Sequence, residues 1–143
     1  MGAVKELVDA VHSYGGLVFH DVIKKRHAEK AAEAGVDGII AVASGAGGHA
    51  GTANPFALID AIRTFYDGCL ILAGAMNNGN DILAAETMGA DFAYIGTRFI
   101  ATKEGSAEQD YKEMLVDSTF EDVIYTDGIS GVNANFLKPS IIH

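Results

Sequence analysis

Four short apolar runs, at 17–22, 39–43, 70–75 and 92–95, alternate with segments of helical character, and this alternation restricts the fold more than any other feature. Strands that alternate with helices build βα units in a parallel sheet. The first helix, 4–12, carries Val4, Leu7, Val8 and Val11 at helical spacing and ends before Gly15-Gly16. The run 17–22 reads as a parallel strand covered on both faces, with His20 or Asp21 at its C-terminal end. Residues 27–34 and 81–88 are helices stopped by Gly35 and Gly89. Another helix opens at Asn54-Pro55, with Asn54 as its cap and Phe56, Ile59, Ile62 and Phe65 as its apolar stripe. An internal repeat marks the same units. Ala-Glu-Ala-Gly-Val-Asp at 32–37 precedes the second strand, and Ala-Glu-Thr-Met-Gly-Ala-Asp at 85–91 precedes the fourth. Right-handed crossovers then gather the C-terminal ends of all four strands on one rim.

That rim holds the residues with chemical capacity. Ser44-Gly45-Ala46-Gly47-Gly48-His49-Ala50-Gly51 follows the second strand directly. Four glycines raise the entropy cost of ordering a loop, and a ligand lying against exposed N–H groups beneath His49 would offset that cost. A flexible turn with a surface histidine is the competing reading. Gly74 and Ala75 after the third strand, with Gly96 and Thr97 after the fourth, suit a phosphate held by backbone N–H groups and a hydroxyl. Arg98 either neutralises that phosphate or joins a surface ion pair. His49 has the chemistry of a base or hydrogen-bond donor toward a substrate, whereas a structural role is favoured for His20 and Asp21. Those three residues are of metal-ligating type, but no HxH or HExxH spacing accompanies them, so no metal is expected. The Walker A lysine motif and the early-sheet GxGxxG fingerprint are absent.

With 143 residues, 49% of them hydrophobic, the chain is read as a single domain over 1–143, yet a complete (β/α)₈ barrel takes about 250. The fold class expected is α/β, part of such a barrel, with about four parallel strands and intervening helices. Residues 100–143 form a helical and irregular extension within it. There, 107–116 reads as a helix with Tyr111, Met114 and Leu115 inward, and 123–125 as a short strand or extended arm. The tail 128–139 looks irregular and is placed over the rim or at a subunit contact. Nineteen acidic against ten basic residues give a formal charge of -9, which argues against a nucleic-acid surface. Lys24-Lys25-Arg26 is the one short basic cluster and reads as a solvated loop or first helical turn. Cys69 has no partner for an internal disulfide and reads as a small buried hydrophobe. No run reaches membrane-spanning length, so a cytoplasmic protein with no membrane partner is expected.

The segments AGVDGIIAVASGAGGHAG and LILAGAMNNGNDILAAETMGADFAYIGTRFIAT, with YKEML after them, resemble nitronate monooxygenase, formerly 2-nitropropane dioxygenase. This FMN-dependent TIM barrel family also includes a flavin enoyl reductase of fatty-acid synthesis. The resemblance covers most of the chain and falls on the C-terminal half of the barrel. It implies that His49 is the active-site histidine, that Gly47 and Gly48 lie beside the flavin, and that FMN phosphate meets Ala73, Gly74, Ala75, Gly96 and Thr97. It implies oxidation of nitronates or nitroalkanes by O₂ to a carbonyl compound and nitrite, in an assembly completed by self-association or by an N-terminal half. Where the family often has Gln-Gly before the loop and Glu within it, this chain has Val42-Ala43 and Gly45. Two other readings stay open: a flavin enoyl reductase, and a noncatalytic phosphate-ligand or assembly module.

Overall fold

The computed structural model describes residues 4–141. Helix α1 (Lys5–His12) buries only Val8, because Leu7 turns outward, and the expected four-residue stripe narrows to that contact. Strand β1 (Phe19–Val22) leads into α2 (Lys25–Glu33), whose first turn takes up the basic cluster and whose fully buried Ala28 and Ala31 bring it close to the sheet. Strand β2 (Gly38–Val42) runs into the glycine loop, where Gly48–His49 forms the two-residue strand β3. At the start of α3 (Pro55–Arg63) the Asn54 side chain accepts the Phe56 N–H at 3.0 Å, as the sequence predicts. The buried stripe of α3 is Leu58, Ile59 and Ile62. Phe56 and Phe65 are exposed instead; Phe65 lies beyond the helix end, with the Lys25 ammonium 5.7 Å from its ring centre.

Strand β4 (Cys69–Ala73) precedes α4 (Gly79–Thr87), which starts two residues before Asp81 because Asn78 and Asp81 close a capping box. Strand β5 (Phe92–Tyr94) is followed by the short α5 (Thr97–Ile100) and by α6 (Gln109–Asp117). The inward face expected for α6 is only partial: Met114 and Leu115 are half-buried and Tyr111 is exposed. Strands β6 (Val123–Thr126) and β7 (Ala134–Leu137) then form an antiparallel hairpin, so the tail expected to be irregular contains a strand. Among the described residues no helix is long and apolar enough to cross a membrane.

The main sheet is parallel, in the order β1-β2-β4-β5. Val22, Ile39, Ala41, Leu70 and Leu72 point to one face and pack under Leu58, Ile59, Ile62, Ala31 and Ala85 of the helices. Among the described residues the opposite face is covered only near the rim, where Ala46 and Ala50 of the glycine loop close over Val42 and Ala73. Below that, register aligns Asp21, Ile40, Ile71 and Phe92 in a row, with Phe92 60% exposed and Tyr94 58%. The coverage on both faces expected for 17–22 is therefore missing, and Phe19 and Leu17 are exposed. Cys69, on this face, is likewise only half-buried rather than buried. Partial burial nevertheless pushes its thiol pKa up, with the Asp91 charge adding to the effect.

The repeated Asp has one structural job in both units. Asp37 accepts the Val18 N–H at 2.7 Å and donates its own N–H to the Val18 carbonyl at 2.8 Å. Asp91 does the same with Leu70, at 2.8 and 2.7 Å. Each carboxylate thus ties the start of its strand to the strand alongside. The Leu70 N–H, followed by the Arg63 guanidinium at 2.8 Å, holds Asp91 below its ordinary pKa of 3.8; the Val18 N–H and then His12 do so for Asp37. A lowered folded pKa means stability that is present above the unfolded value and lost as pH falls through the folded one. Asp91→Asn should cost about 1 kcal/mol, at the low end because the side chain is half exposed. In urea titrations the deficit should hold at pH 7 and shrink below pH 3.8. A deficit unchanged at pH 3 would contradict the clamp.

Candidate functional site

Three strand ends bring the candidate residues together. Beyond the last paired residues of β2 and β4, the Ala43 N–H donates to the Ala73 carbonyl at 2.9 Å, and the Ala75 N–H donates to the Gly45 carbonyl at 3.1 Å. The glycine loop is thereby laid on the Gly74-Ala75 turn. Gly45 has φ +87°, and a Cβ there would lie 2.9 Å from the Ala75 Cβ. Ala75 has φ 53°, the one positive-φ residue other than glycine among the described residues, so this turn stores backbone strain at the rim. A Cβ on Gly47 would overlap the Thr97 hydroxyl, which places the glycine loop against the third turn as well.

This arrangement tests whether a phosphate group fits. Among the described residues the N–H groups of Gly74, Gly96 and Thr97 donate to no backbone carbonyl, and the Thr97 hydroxyl is exposed beside them. A Cβ on Gly96 or Gly48 would meet nothing within 4 Å, so the space above both is open. Unpaired amides, a hydroxyl and small residues suit a dianion. Two expected contributors stand differently. The Ala75 N–H is committed to Gly45, and buried Ala73, whose carbonyl is also taken, serves to place Gly74. Arg98 is exposed on α5 and has no carboxylate within ion-pair distance among the described residues.

His49 is exposed at the edge of this cluster, on β3, which pairs antiparallel with β7 through Gly48–Asn135 and His49–Ala134. The Asn135 side-chain amide donates to the Ala46 carbonyl at 2.8 Å and the Tyr125 hydroxyl to the Ala50 carbonyl at 3.2 Å. These two residues fix the loop that carries His49, and neither was singled out from the sequence. The available signal was the β-branched and aromatic content of 123–126, Val-Ile-Tyr-Thr, ahead of the glycine-containing turn. His20 and Asp21 do not join the site: as strand neighbours they point to opposite faces, His20 with Ile39 toward the helices and Asp21 with Ile40 toward the open face. Among the described residues no three His, Cys, Asp or Glu side chains are placed to hold a metal ion.

A parallel βα sheet with helices on one face and its strand ends gathered on one rim defines an α/β protein of barrel type. Its sequence matches the profile of the nitronate monooxygenase family over residues 2–143, and the chain belongs to that family. It is 36% identical over 107 residues to a nitronate monooxygenase of Paraburkholderia phytofirmans, covering 68% of this chain and 29% of that one. Among solved structures, it is similar to FabK from Thermotoga maritima, with TM-score 0.87 and 28% identity over 96% of this chain and 44% of that one. The nitroalkane oxidase of Streptomyces ansochromogenes gives TM-score 0.86 and 28% identity over 93% and 42%. The chain thus spans less than half the length of each. Family and fold are those of FMN-binding oxidoreductases with a (β/α)₈ barrel.

The contact between Gly47 and Thr97 gives a direct check on this rim. Gly47→Ala should cost up to about 1 kcal/mol, because the exposed Thr97 hydroxyl must leave its present rotamer to make room. Thr97→Ala in the same chain should recover most of that loss, since the new methyl group would then face only the residue 97 Cβ, at 3.8 Å. A double-mutant cycle by chemical denaturation measures the coupling, and simple additivity would show that the two turns do not touch.

Proposed function

We propose that this chain supplies the phosphate-binding and proton-handling half of a flavin enzyme that oxidises alkyl nitronates or nitroalkanes with O₂ to a carbonyl compound and nitrite. The observation that carries the reading is an exposed His49 on a loop packed directly against the turns of Gly74-Ala75 and Thr97. The N–H groups of Gly74, Gly96 and Thr97 and the Thr97 hydroxyl would hold the FMN phosphate, while Gly47 and Gly48 leave room for close approach. FMN, when bound, supplies the electron transfer between substrate and oxygen. His49 removes the proton from the carbon bearing the nitro group, or orients the nitronate that already lacks it. Residues 1–143 work as one partial barrel in which 100–143 is an integral cap. The open sheet face is completed by a second four-stranded half, either another copy or an N-terminal polypeptide.

The chain assembled with such a half and with FMN should release nitrite aerobically from propionate 3-nitronate or from a neutral nitroalkane. A fully loaded flavoprotein that releases none would remove the substrate assignment. FMN binding no tighter than that of inorganic phosphate, with no turnover, would leave a phosphate-binding module. His49→Ala should retain FMN and lose about 10²–10⁴-fold in turnover of the neutral nitroalkane, with a smaller loss on preformed nitronate. Equal losses on both substrates would make His49 an orienting group. The enoyl reductase reading, which the sequence leaves open, has its own assay. NAD(P)H oxidation dependent on an enoyl thioester would support it.

A further inference from the structure

The glycine loop has a second side. Gly45 and Gly47 lie against Ala75 and Thr97, whereas His49 and the residues after it border a cleft of about 670 Å³, shared with the β1–α2 connection, α3 and the β6–β7 hairpin. None of Gly74, Ala75, Gly96 and Thr97 lines this cleft, so it lies apart from the turns assigned to phosphate. Its volume is that of a small-molecule site. Apolar side chains make most of the wall, among them Ile23, Ala50 and Leu58, the last two buried.

Charge distinguishes the cleft from the rest of the surface. The chain has nineteen acidic and ten basic residues, yet no carboxylate lines this space, and its charged lining groups are Lys24 and Lys25. Neither lysine has a carboxylate within 4.0 Å among the described residues. The Lys25 ammonium rests over the Phe65 ring, a contact that positions it without neutralising its charge. An apolar trough with two unneutralised cations, bordered also by His49, is complementary to a molecule with an apolar chain and one anionic end.

We infer that this cleft binds an amphipathic anion, a carboxylate or phosphate ester on an apolar chain, with its charge at Lys24 and Lys25 and its body running past His49. A substrate with an acidic tail would engage both His49 and the two lysines, a consequence that rests on His49 being the proton-handling group. Binding itself needs neither flavin nor turnover, so it is measured on the 143-residue chain, in the assembly it adopts in solution, by calorimetric titration with hexanoate, hexyl phosphate and hexanol. At least one of the anions should bind about three- to tenfold more tightly than hexanol, and the tighter anion names the acidic group. Lys24→Gln/Lys25→Gln should erase that preference and leave hexanol binding unchanged, with circular dichroism verifying the fold of the variant. The preferred anion should also shift the His49 ring proton resonances, which places its chain beside that residue. Equal affinities for all three probes, no binding by a folded chain, or indifference to the double substitution would overturn the assignment. A failure to release nitrite would leave this binding result intact, and loss of binding would leave the nitronate reading to its own assay.

Discussion

Helices cover one face of the four-stranded sheet, and much of the structure depends on what that leaves uncovered. Leu70, Leu72, Ile39 and Ala41 are sealed beneath α2, α3 and α4, which gives the sheet a firm support. Ile40, Ile71, Phe92 and Tyr94 face the other way, and only the glycine loop at the rim covers part of that side. A barrel packs such residues inside itself, and four strands with free edges at β1 and β5 cannot do so. The rim is nevertheless built, because the loops after β2 and β4 brace one another through Ala43–Ala73 and Gly45–Ala75 bonds, and Gly47 lies against Thr97 after β5. Half a barrel therefore presents a formed rim above an unfinished interior.

The four strands and their helices were legible in the sequence because they rest on local patterns: apolar runs, Asn54 and its proline, and glycines at helix ends. The repeated Asp was legible as a repeat, but its function as a strand clamp appears only when Asp37 and Val18, or Asp91 and Leu70, are seen side by side. The β6–β7 hairpin was not legible for the same reason. Its partners lie far away in the chain, with Asn135 bonding Ala46 across 89 positions and Tyr125 bonding Ala50 across 75. The run 17–22 misled in an instructive way, since its residues have the character of a strand covered twice while this chain supplies one cover. Phe56 and Phe65 misled because periodicity marks a stripe without showing where the helix stops touching the sheet.

The site followed the same division. His49 and the glycine turns stood out because four glycines fall within eight residues, and the structure gives them steric reasons: positive φ at Gly45 and Gly48 and closeness to Thr97 at Gly47. The sequence did not reveal that the Ala75 amide is already occupied by Gly45, nor that His20 and Asp21 face opposite sides of the sheet. It also showed Lys24 and Lys25 only as a basic cluster. Their position at an apolar cleft bordered by His49 depends on α3 and on the hairpin, both remote in sequence.

The central claim, that this chain is a half-barrel whose open face requires a second half, is tested most directly by its state alone in solution. Light scattering combined with amide hydrogen exchange on the purified 143-residue chain measures both mass and protection. Because Phe92 and Tyr94 are more than half exposed and both sheet edges are free, the chain should form a dimer or larger assembly, or else exchange rapidly along β1 and β5 with little affinity for FMN. A compact monomer, protected throughout the sheet and binding one FMN tightly, would contradict it.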